Sequence, residues 1–283
     1  MSRQTIGVLH PGQMGIAVAA TAKNSGNAVY WASERRGPET RRRAESGGLL
    51  DAGSAAKLCE SCGVLISVCP PEFAEEVAQE AMRHQFRGLY IDANAISPER
   101  VQRMGEKLVR NGIRFVDACI IGLPATARGQ TWLWFSGGEA VEAASYFSGG
   151  PLETEILRGG VGQASALKMC YAAQTKGIAA LRGAVLGAAQ NLGVLEALER
   201  QCSRSGEWPR MLASMRQVTP KAWRFVAEMH EIAATFEAAG MPPEFHQAAA
   251  EIYSRLAAFK GSGEARFEEV VDALSAPQHT THE

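Results

Sequence analysis

The sequence predicts a doubly wound parallel α/β sheet followed by an all-helical domain. Three observations carry that reading. Short apolar runs with strand character alternate with helix-like stretches through the first half, the pattern of βα units. The chain opens on a strand, a turn with two close glycines and a helix, at GVLHPGQMG (7–15). From Ala164 to about Leu198 the sequence turns Ala/Leu-rich and free of proline, and strand signals fade.

The elements follow in order. Thr5 to Leu9 reads as the first strand, and Ile16, Ala17, Val18 and Ala20 suit a helix packed on a sheet. Ala28 to Trp31 is a second strand. It runs into WASERR (31–36) and a cationic loop that continues through Arg41 to Arg43. Leu49 to Cys62 reads as turn and helix. Val64 to Val68 is an apolar strand stopped by Pro70 and Pro71, and Pro71 to His84 is a helix. Leu89 to Ile91 is a strand closed by Asp92. Ser97 and Pro98 suit an N-cap and first helical residue. Phe115 and Val116 begin one further strand and Trp132 to Phe135 is another, where Trp132 and Trp134 share one side as core or as site lining. The boundary falls near Gly162. This gives residues 1–162 as the sheet domain, 163–275 as the helical domain and 276–283 (APQHTTHE) as a polar tail.

Composition narrows the function. The 283 residues carry a formal net charge of −1, with 46% hydrophobic and 21% charged residues. That balance gives no basic footprint for nucleic acid or an anionic membrane surface. No basic n-region with a following apolar run opens the chain, so no signal peptide is expected. No stretch is apolar for long enough to predict a membrane span. Of the six cysteines, Cys59 and Cys62 form a lone CESC with no second ligand pair, so no metal is expected. Reduced thiols in a cytoplasmic protein are the simplest reading.

GVLHPGQMG almost spells the G-x-G-x-x-G turn that holds a dinucleotide pyrophosphate. Gly12 can let the backbone approach the phosphates, and Gly15 can allow close helix–strand packing. His10 and Pro11 stand where the first glycine and its neighbour belong, and Pro11 removes one N–H donor. The N–H groups of Gln13, Met14 and Gly15 remain free to face a phosphate. A strand–turn–helix that binds nothing is the alternative.

Further segments extend the pattern. GVLHPGQMG resembles the GFIGLGNMG opening of the β-hydroxyacid dehydrogenases, relatives of 6-phosphogluconate dehydrogenase. SVCPP (67–71), IDANAISP (91–98), VDACIIGLP (116–124), GVGQASALKM (160–169) and KAWRFVAEM (221–229) resemble that family's segments in order and spacing. ASALKMCYAAQTKG resembles a less characterised branch with a distinct helical C-terminal domain. The resemblance implies a Rossmann-like domain, a helical domain for substrate and dimerisation, and an active site between them. It implies cofactor contacts from His10, Pro11, Gly12, Gln13, Met14, Cys69, Pro70 and Lys221. It also implies a substrate loop at Ile120, Ile121 and Gly122, and Lys168 as the catalytic lysine. The departures are specific. Ile121 replaces a carboxylate-binding Ser and Leu123 a Gly, while Tyr171 and Ala172 replace a polar pair.

At about 100° per residue, Lys168, Tyr171, Ala172 and Thr175 share one helical face, and Lys176 lies about 80° round. Lys168 either snorkels to solvent or serves as general acid–base with Tyr171 beside it and Thr175 toward the substrate. An alcohol losing hydride must also lose its hydroxyl proton, which a lysine can take. Asn94 sits where an amide could touch the nicotinamide ribose or substrate, or form an Asx turn. Lys176, Glu231 and His246 are left without an assigned role. The second strand ends in Ala32 where NAD-specific sites place an acid. Ser33, Arg35 and Arg36 suit a 2′-phosphate, so NADP is expected over NAD, with Glu34 the counter-signal. The expected activity is hydride transfer between NADP and a hydroxyacid, alcohol or ketone, and loss of the polar cradle points to a bulkier or more apolar small molecule. Imine reduction on the same fold is an alternative, though such relatives typically lack the lysine; a non-catalytic NADP-binding module is another. A homodimer is expected by analogy, through small residues in AALRGAVLGAAQNLG (179–193) or with those residues packing inside one chain.

Overall fold

The computed structural model describes residues 3–262 and 265–276, so all of the polar tail beyond Ala276 lies outside the described residues. The chain forms two compact units, Met1–Met169 and Cys170–Glu283.

In the first unit the strands are β1 (Thr5–Val8), β2 (Ala28–Trp31), β3 (Leu50–Asp51), β4 (Val64–Ser67), β5 (Leu89–Asp92), β6 (Arg114–Gly122), β7 (Thr131–Ser136) and β8 (Glu153–Ile156). They form one sheet in the order β3-β2-β1-β4-β5-β6-β7-β8. The first six run parallel, and the order 3-2-1-4-5-6 is that of the doubly wound dinucleotide folds. Period-two alternation divides the core between two faces. Ile6, Val8, Ile66 and Ile91 pack on one side, and Leu65, Tyr90 and Phe115 on the other. The helices are α1 (Gln13–Asn24), α2 (Pro38–Ser46), α3 (Ala55–Ser61), α4 (Ala74–Arg83), α5 (Pro98–Arg110) and α6 (Ala140–Ser145), with the first turns of α7 (Gln163–Ala172).

Four expectations are corrected here, and one strand is added. The cationic loop through Arg41–Arg43 is helical: Pro38 opens α2 and Gly47 closes it, but only Ala44 is buried, so no apolar stripe announced it. Leu50–Asp51 is a strand within the stretch read as turn and helix. Pro71 opens a 3₁₀ turn, and α4 starts at Ala74. β7 is antiparallel to β6, because residues 123–130 are fewer than the dozen or so that a crossover needs. The edge strand β8, sequence ETEI, is too polar to read as a strand. Ser97 does precede α5 as its N-cap, with Pro98 in the first turn.

The second unit is helical. A π-helical stretch, Ala173–Gly177, precedes α8 (Ile178–Asn191). The Ala/Leu-rich, proline-free stretch from Ala164 to about Leu198 is not one helix: α8 stops at Asn191, and Gly193 takes a left-handed conformation (φ 68°). Then follow α9 (Leu195–Arg204), α10 (Glu207–Val218), α11 (Ala222–Ala238), α12 (Glu244–Arg255) and α13 (Phe267–Ser275). α8 packs on α13, α10 and α12, and α11 on α12. Small residues of α8 serve this packing within the chain: a Cβ on Gly187 would lie 2.8 Å from the Leu274 carbonyl oxygen.

Candidate active site

The turn after β1 leads into the N-terminus of α1. Gly12 caps α1 in extended conformation and its N–H donates to the His10 carbonyl (2.8 Å). The next N–H groups open α1, where no intrahelical acceptor exists for them. A Cβ on Gly15 would collide with the His10 carbonyl oxygen, whereas a Cβ on Gly12 would meet nothing within 4 Å. So Gly15 permits the close helix–strand approach, and Gly12 leaves an open side. Burial, reinforced by Arg36, lowers the His10 imidazole to about 4, so it is neutral at neutral pH. Two buried nitrogens here, His10 Nδ1 and Arg36 Nε, have no hydrogen-bond partner among the described residues.

Arginines surround this turn. Arg36 donates to the Leu9 carbonyl (3.3 Å), Arg43 to Pro11 (3.3 Å) and Arg41 to Ser33 (2.8 Å). Arg35 is exposed, with a left-handed backbone (φ 57°). Ser33 is buried, and its N–H donates to Asp51 Oδ1 (3.2 Å). The sequence shows Arg41 and Arg43 only as part of a cationic loop and does not single out Asp51, because α2 and β3 carry no clear signal in it.

At the ends of β4 and β5 the polar groups are fastened to one another. Asn94 is buried. Its amide donates to Ser67 Oγ (3.0 Å) and Asp92 Oδ2 (2.7 Å), and its Oδ1 accepts from the Cys69 N–H (2.6 Å). The Asx-type link here belongs to Asp92, whose Oδ1 accepts from the Asn94 N–H (3.2 Å). Burial raises the Asp92 carboxyl to about 7, against the pull of the Asn94 hydrogen bonds. Burial holds the Cys69 thiol up at about 12, so it stays protonated. Pro70 follows, exposed.

β6 and α7 meet at a buried carboxylate that the sequence reading passed over. Asp117 Oδ2 accepts from Ser136 Oγ (2.9 Å) and from the N–H groups of Gly162 (2.9 Å), Ala164 (3.0 Å) and Ser165 (3.1 Å). Its Oδ1 accepts from Ser165 Oγ (2.8 Å). Burial pushes this carboxyl up and the hydrogen bonds pull it down. All five contacts are donors, which the ionised form satisfies best. One turn further along α7, Lys168 is half-buried and its Nζ donates to the Ile120 carbonyl (2.8 Å). Cys119, Ile121 and Ala164 form a small apolar cluster there, flanked by Trp134, Leu157 and Leu167. Gly122 turns the strand end with φ 131°, and a Cβ would lie 2.5 Å from Thr131 Oγ1.

The helical unit holds the remaining candidates. Tyr171 is 46% exposed, and the Thr175 hydroxyl donates to its carbonyl (3.0 Å). Lys176 pairs with buried Glu228 and lies 4.5 Å from the centre of the Phe225 ring. The buried Tyr253 hydroxyl donates to the Lys176 carbonyl (2.7 Å), so Lys176 is part of a packed cluster rather than a surface lysine. His246 is buried against Phe236 and Phe245. Lys221 is half-buried just before α11, and Glu231 lies on α11.

Residues 5–146 match the family model of the NAD binding domain of 6-phosphogluconate dehydrogenase. The chain belongs to this family. Residues 189–256 match a second model, a domain of unknown function, DUF1932, which identifies the less characterised branch. A solved conserved protein of unknown function, described as structurally similar to 3-hydroxyacid dehydrogenases, is 30% identical with a TM-score of 0.65, over 90% of this chain and 97% of that one. The 3-hydroxyisobutyrate dehydrogenase of Mycobacterium tuberculosis, solved with L-serine, shares the fold at 18% identity and TM-score 0.70, over 97% of this chain and all of that one (100%). So does an imine reductase from Myxococcus stipitatus solved with NAD+, at 17% identity and TM-score 0.52 over 96% of this chain and 100% of that one. An uncharacterized 28.5 kDa protein of Methanothermus fervidus is 25% identical over 163 residues, 58% of this chain and 62% of that protein, less than two thirds of its length. This family member therefore carries a hydroxyacid-dehydrogenase-like NAD-binding fold. No helix among the described residues is long and apolar enough to cross a membrane.

Proposed function

We propose that this protein is an NADP-dependent oxidoreductase that moves a hydride between the nicotinamide and a hydroxyacid, alcohol or ketone, with Lys168 as general acid–base. The single observation that carries the reading is the placing of Lys168. Its ammonium is held by the Ile120 carbonyl at the end of β6, on the same edge of the parallel sheet as the β1–α1 turn.

The cradle fits a dinucleotide. The N-terminus of α1, the open side of Gly12 and the two orphaned nitrogens of His10 and Arg36 all present donors or space where a pyrophosphate and adenosine would lie. When bound, the cofactor supplies the hydride acceptor or donor. Gln13 and Met14 would offer backbone N–H groups to the phosphates, while Pro11 offers none. Arg36, with Arg35 and Arg41, favours a 2′-phosphate and hence NADP over NAD. Ser33 supports the loop through Asp51 rather than reaching the phosphate. Asn94 acts by holding Cys69 and Pro70 in place.

In the oxidative direction neutral Lys168 takes the hydroxyl proton of the substrate; in reverse its ammonium returns it. Ile120, Ile121 and Gly122 present apolar groups and backbone, which favours a bulky or apolar alcohol or ketone over a short hydroxyacid. Imine reduction is the second reading; the presence of Lys168 speaks for the alcohol–carbonyl pair. The deciding experiment is turnover of a panel of alcohols, ketones and imines, coupled to NADP(H) and NAD(H). Selective turnover of short hydroxyacids with NAD would overturn the substrate and cofactor assignments together.

We further propose a homodimer. Ile178, Leu181, Val185 and Leu192 are exposed apolar side chains on and just after α8 at three-, four- and seven-residue spacings, so they share one helical face. A second copy is the occupant that the apolar stripe suits. Light scattering should give a dimer mass, and Leu181→Glu should yield monomer; a monomeric wild-type mass at all concentrations refutes it.

A further inference from the structure

We propose that Asp117 is a positioning residue for Lys168: its buried carboxylate fixes the start of α7 so that the lysine ammonium lands on the Ile120 carbonyl. The inference rests on the acid–base reading of Lys168 for its consequence, but its geometry stands alone.

A carboxylate removed from water is expensive unless it is paired or hydrogen-bonded. Asp117 is fully buried in the middle of RFVDACIIG, an otherwise apolar stretch of β6. Among the described residues its five hydrogen-bond partners are Ser136 Oγ, three N–H groups at the start of α7 and the Ser165 hydroxyl, none of them a cation. Those N–H groups are the donors that a helix leaves unsatisfied at its first turn, and the helix dipole favours an anion there. The carboxylate therefore does for α7 what an N-cap side chain does, but from another element. Because it grips the N–H groups of three of the four residues from Gly162 to Ser165, it fixes rotation and rise of the helix as well as its end.

Lys168 lies three residues after Ser165, and Ile120 three residues after Asp117. The two elements are thus joined twice, by carboxylate to helix start and by ammonium to strand carbonyl. A shift of α7 by one residue would rotate Lys168 by about 100° and move it by about 1.5 Å along the axis, out of reach of that carbonyl. A plain apolar residue at 117 would fill the strand but leave the helix free to find its own register. Ser136 on β7 closes the arrangement, since its hydroxyl both donates to Asp117 and accepts from the Ala164 N–H (3.0 Å).

The test uses the full-length protein. Asp117→Asn keeps the shape but turns two acceptor lone pairs into donors facing donors. Trace acylation with acetic anhydride, read by peptide mass spectrometry, should show Lys168 labelled about 3- to 10-fold faster than in the wild type, with exposed Lys107 unchanged, as expected for loss of a local hydrogen bond. Turnover should fall by about 10- to 100-fold, the cost of misplacing a catalytic group by about 1 Å. In a Lys168→Ala background the same substitution should cost less than about 2-fold, because residues that act as a unit are not additive. Ser165→Ala, which leaves the backbone contacts, supplies a milder version of each change if Asp117→Asn fails to fold. Unchanged Lys168 labelling in a folded variant, or an equal loss of turnover in both backgrounds, overturns the proposal. If Lys168→Ala itself leaves turnover intact, the acid–base reading falls, and the labelling result still decides the role of Asp117.

Discussion

Replacing Lys168 by alanine should separate chemistry from cofactor binding. The side chain is half-buried, and its one hydrogen bond goes to the Ile120 carbonyl. Truncation leaves that carbonyl short of a donor, so stability should change by only about 1 kcal/mol. The cradle of Gly12, His10 and Arg36 does not include the lysine, so the NADPH dissociation constant should stay within about 2-fold, under 0.5 kcal/mol. Turnover should drop by about 10²–10⁴, the range of general acid–base catalysis, which is about 3–5 kcal/mol on the barrier. Lys168→Arg should recover little, since a guanidinium stays protonated and cannot act as base. In the oxidative direction added methylamine should restore part of the variant's rate. The assay is NADPH absorbance with the substrate selected from the panel, beside a fluorescence titration of NADPH. Near-normal turnover of that substrate would refute the mechanism and leave the cradle untouched.

Three further outcomes are expected. Arg36→Ala should weaken NADPH binding by about 10-fold or more, as loss of a charge-assisted phosphate contact does, and leave NADH binding nearly unchanged; equal weakening of both would assign Arg36 to the shared part of the cofactor. The pH dependence of stability should reveal two opposed groups. His10 falls from 6.5 to about 4 on folding, so its contribution is present above 6.5 and lost as pH falls toward 4. Asp92 rises from 3.8 to about 7, so its contribution is present below 3.8 and lost as pH rises toward 7. Removing the imidazole in His10→Ala should therefore make stability fall more steeply from pH 4 to 6.5, by up to about 1.4 kcal/mol per pH unit; denaturant titrations in that window would detect the change or its absence. Lys176→Met should destabilise by about 3 kcal/mol by stranding the Glu228 carboxylate, and adding Glu228→Gln should recover most of it; a loss that the second substitution deepens would deny the pairing.

What could be read from the sequence depended on where each element buries its side chains. β1, β2, β4 and β5 are short, mostly buried apolar runs inside the sheet, and that apolar character places them nearly to the residue. α2 has a single buried residue, and β3 and β8 sit at the two sheet edges, so their sequences carry little more than polarity. The helix breaks at Ala173–Gly177 and after Asn191 left only faint marks, the glycines at 177 and 193 among them. Lys168 was singled out by the family resemblance, with the helical period placing Tyr171 and Thr175 on its face. Neither said anything of the Ile120 carbonyl, since a backbone partner from another strand has no sequence signature. Asp117 did leave a signal: an acid inside a nine-residue buried strand must have partners, and Ser136 and Ser165 are near in space but remote in sequence. Asp51 is legible only once β3 is recognised beside β2.

The same reasoning explains how the turn tolerates His10 and Pro11. In the usual fingerprint the first glycine shapes the turn, and here the shape comes from elsewhere. Pro11 fixes its own φ, the His10 carbonyl accepts the Gly12 N–H, and Arg36 and Arg43 tie the Leu9 and Pro11 carbonyls to the neighbouring segment. An imidazole at that place would repel the surrounding arginines if it were charged; burial and Arg36 keep it neutral. Two requirements survive that no such substitution could meet. Nothing but glycine fits against the His10 carbonyl at position 15, and the open side of position 12 is the room that the proposed dinucleotide would need. The two glycines retained from the fingerprint are thus the two whose missing side chains matter for contact, and the one replaced is the one whose role was conformational.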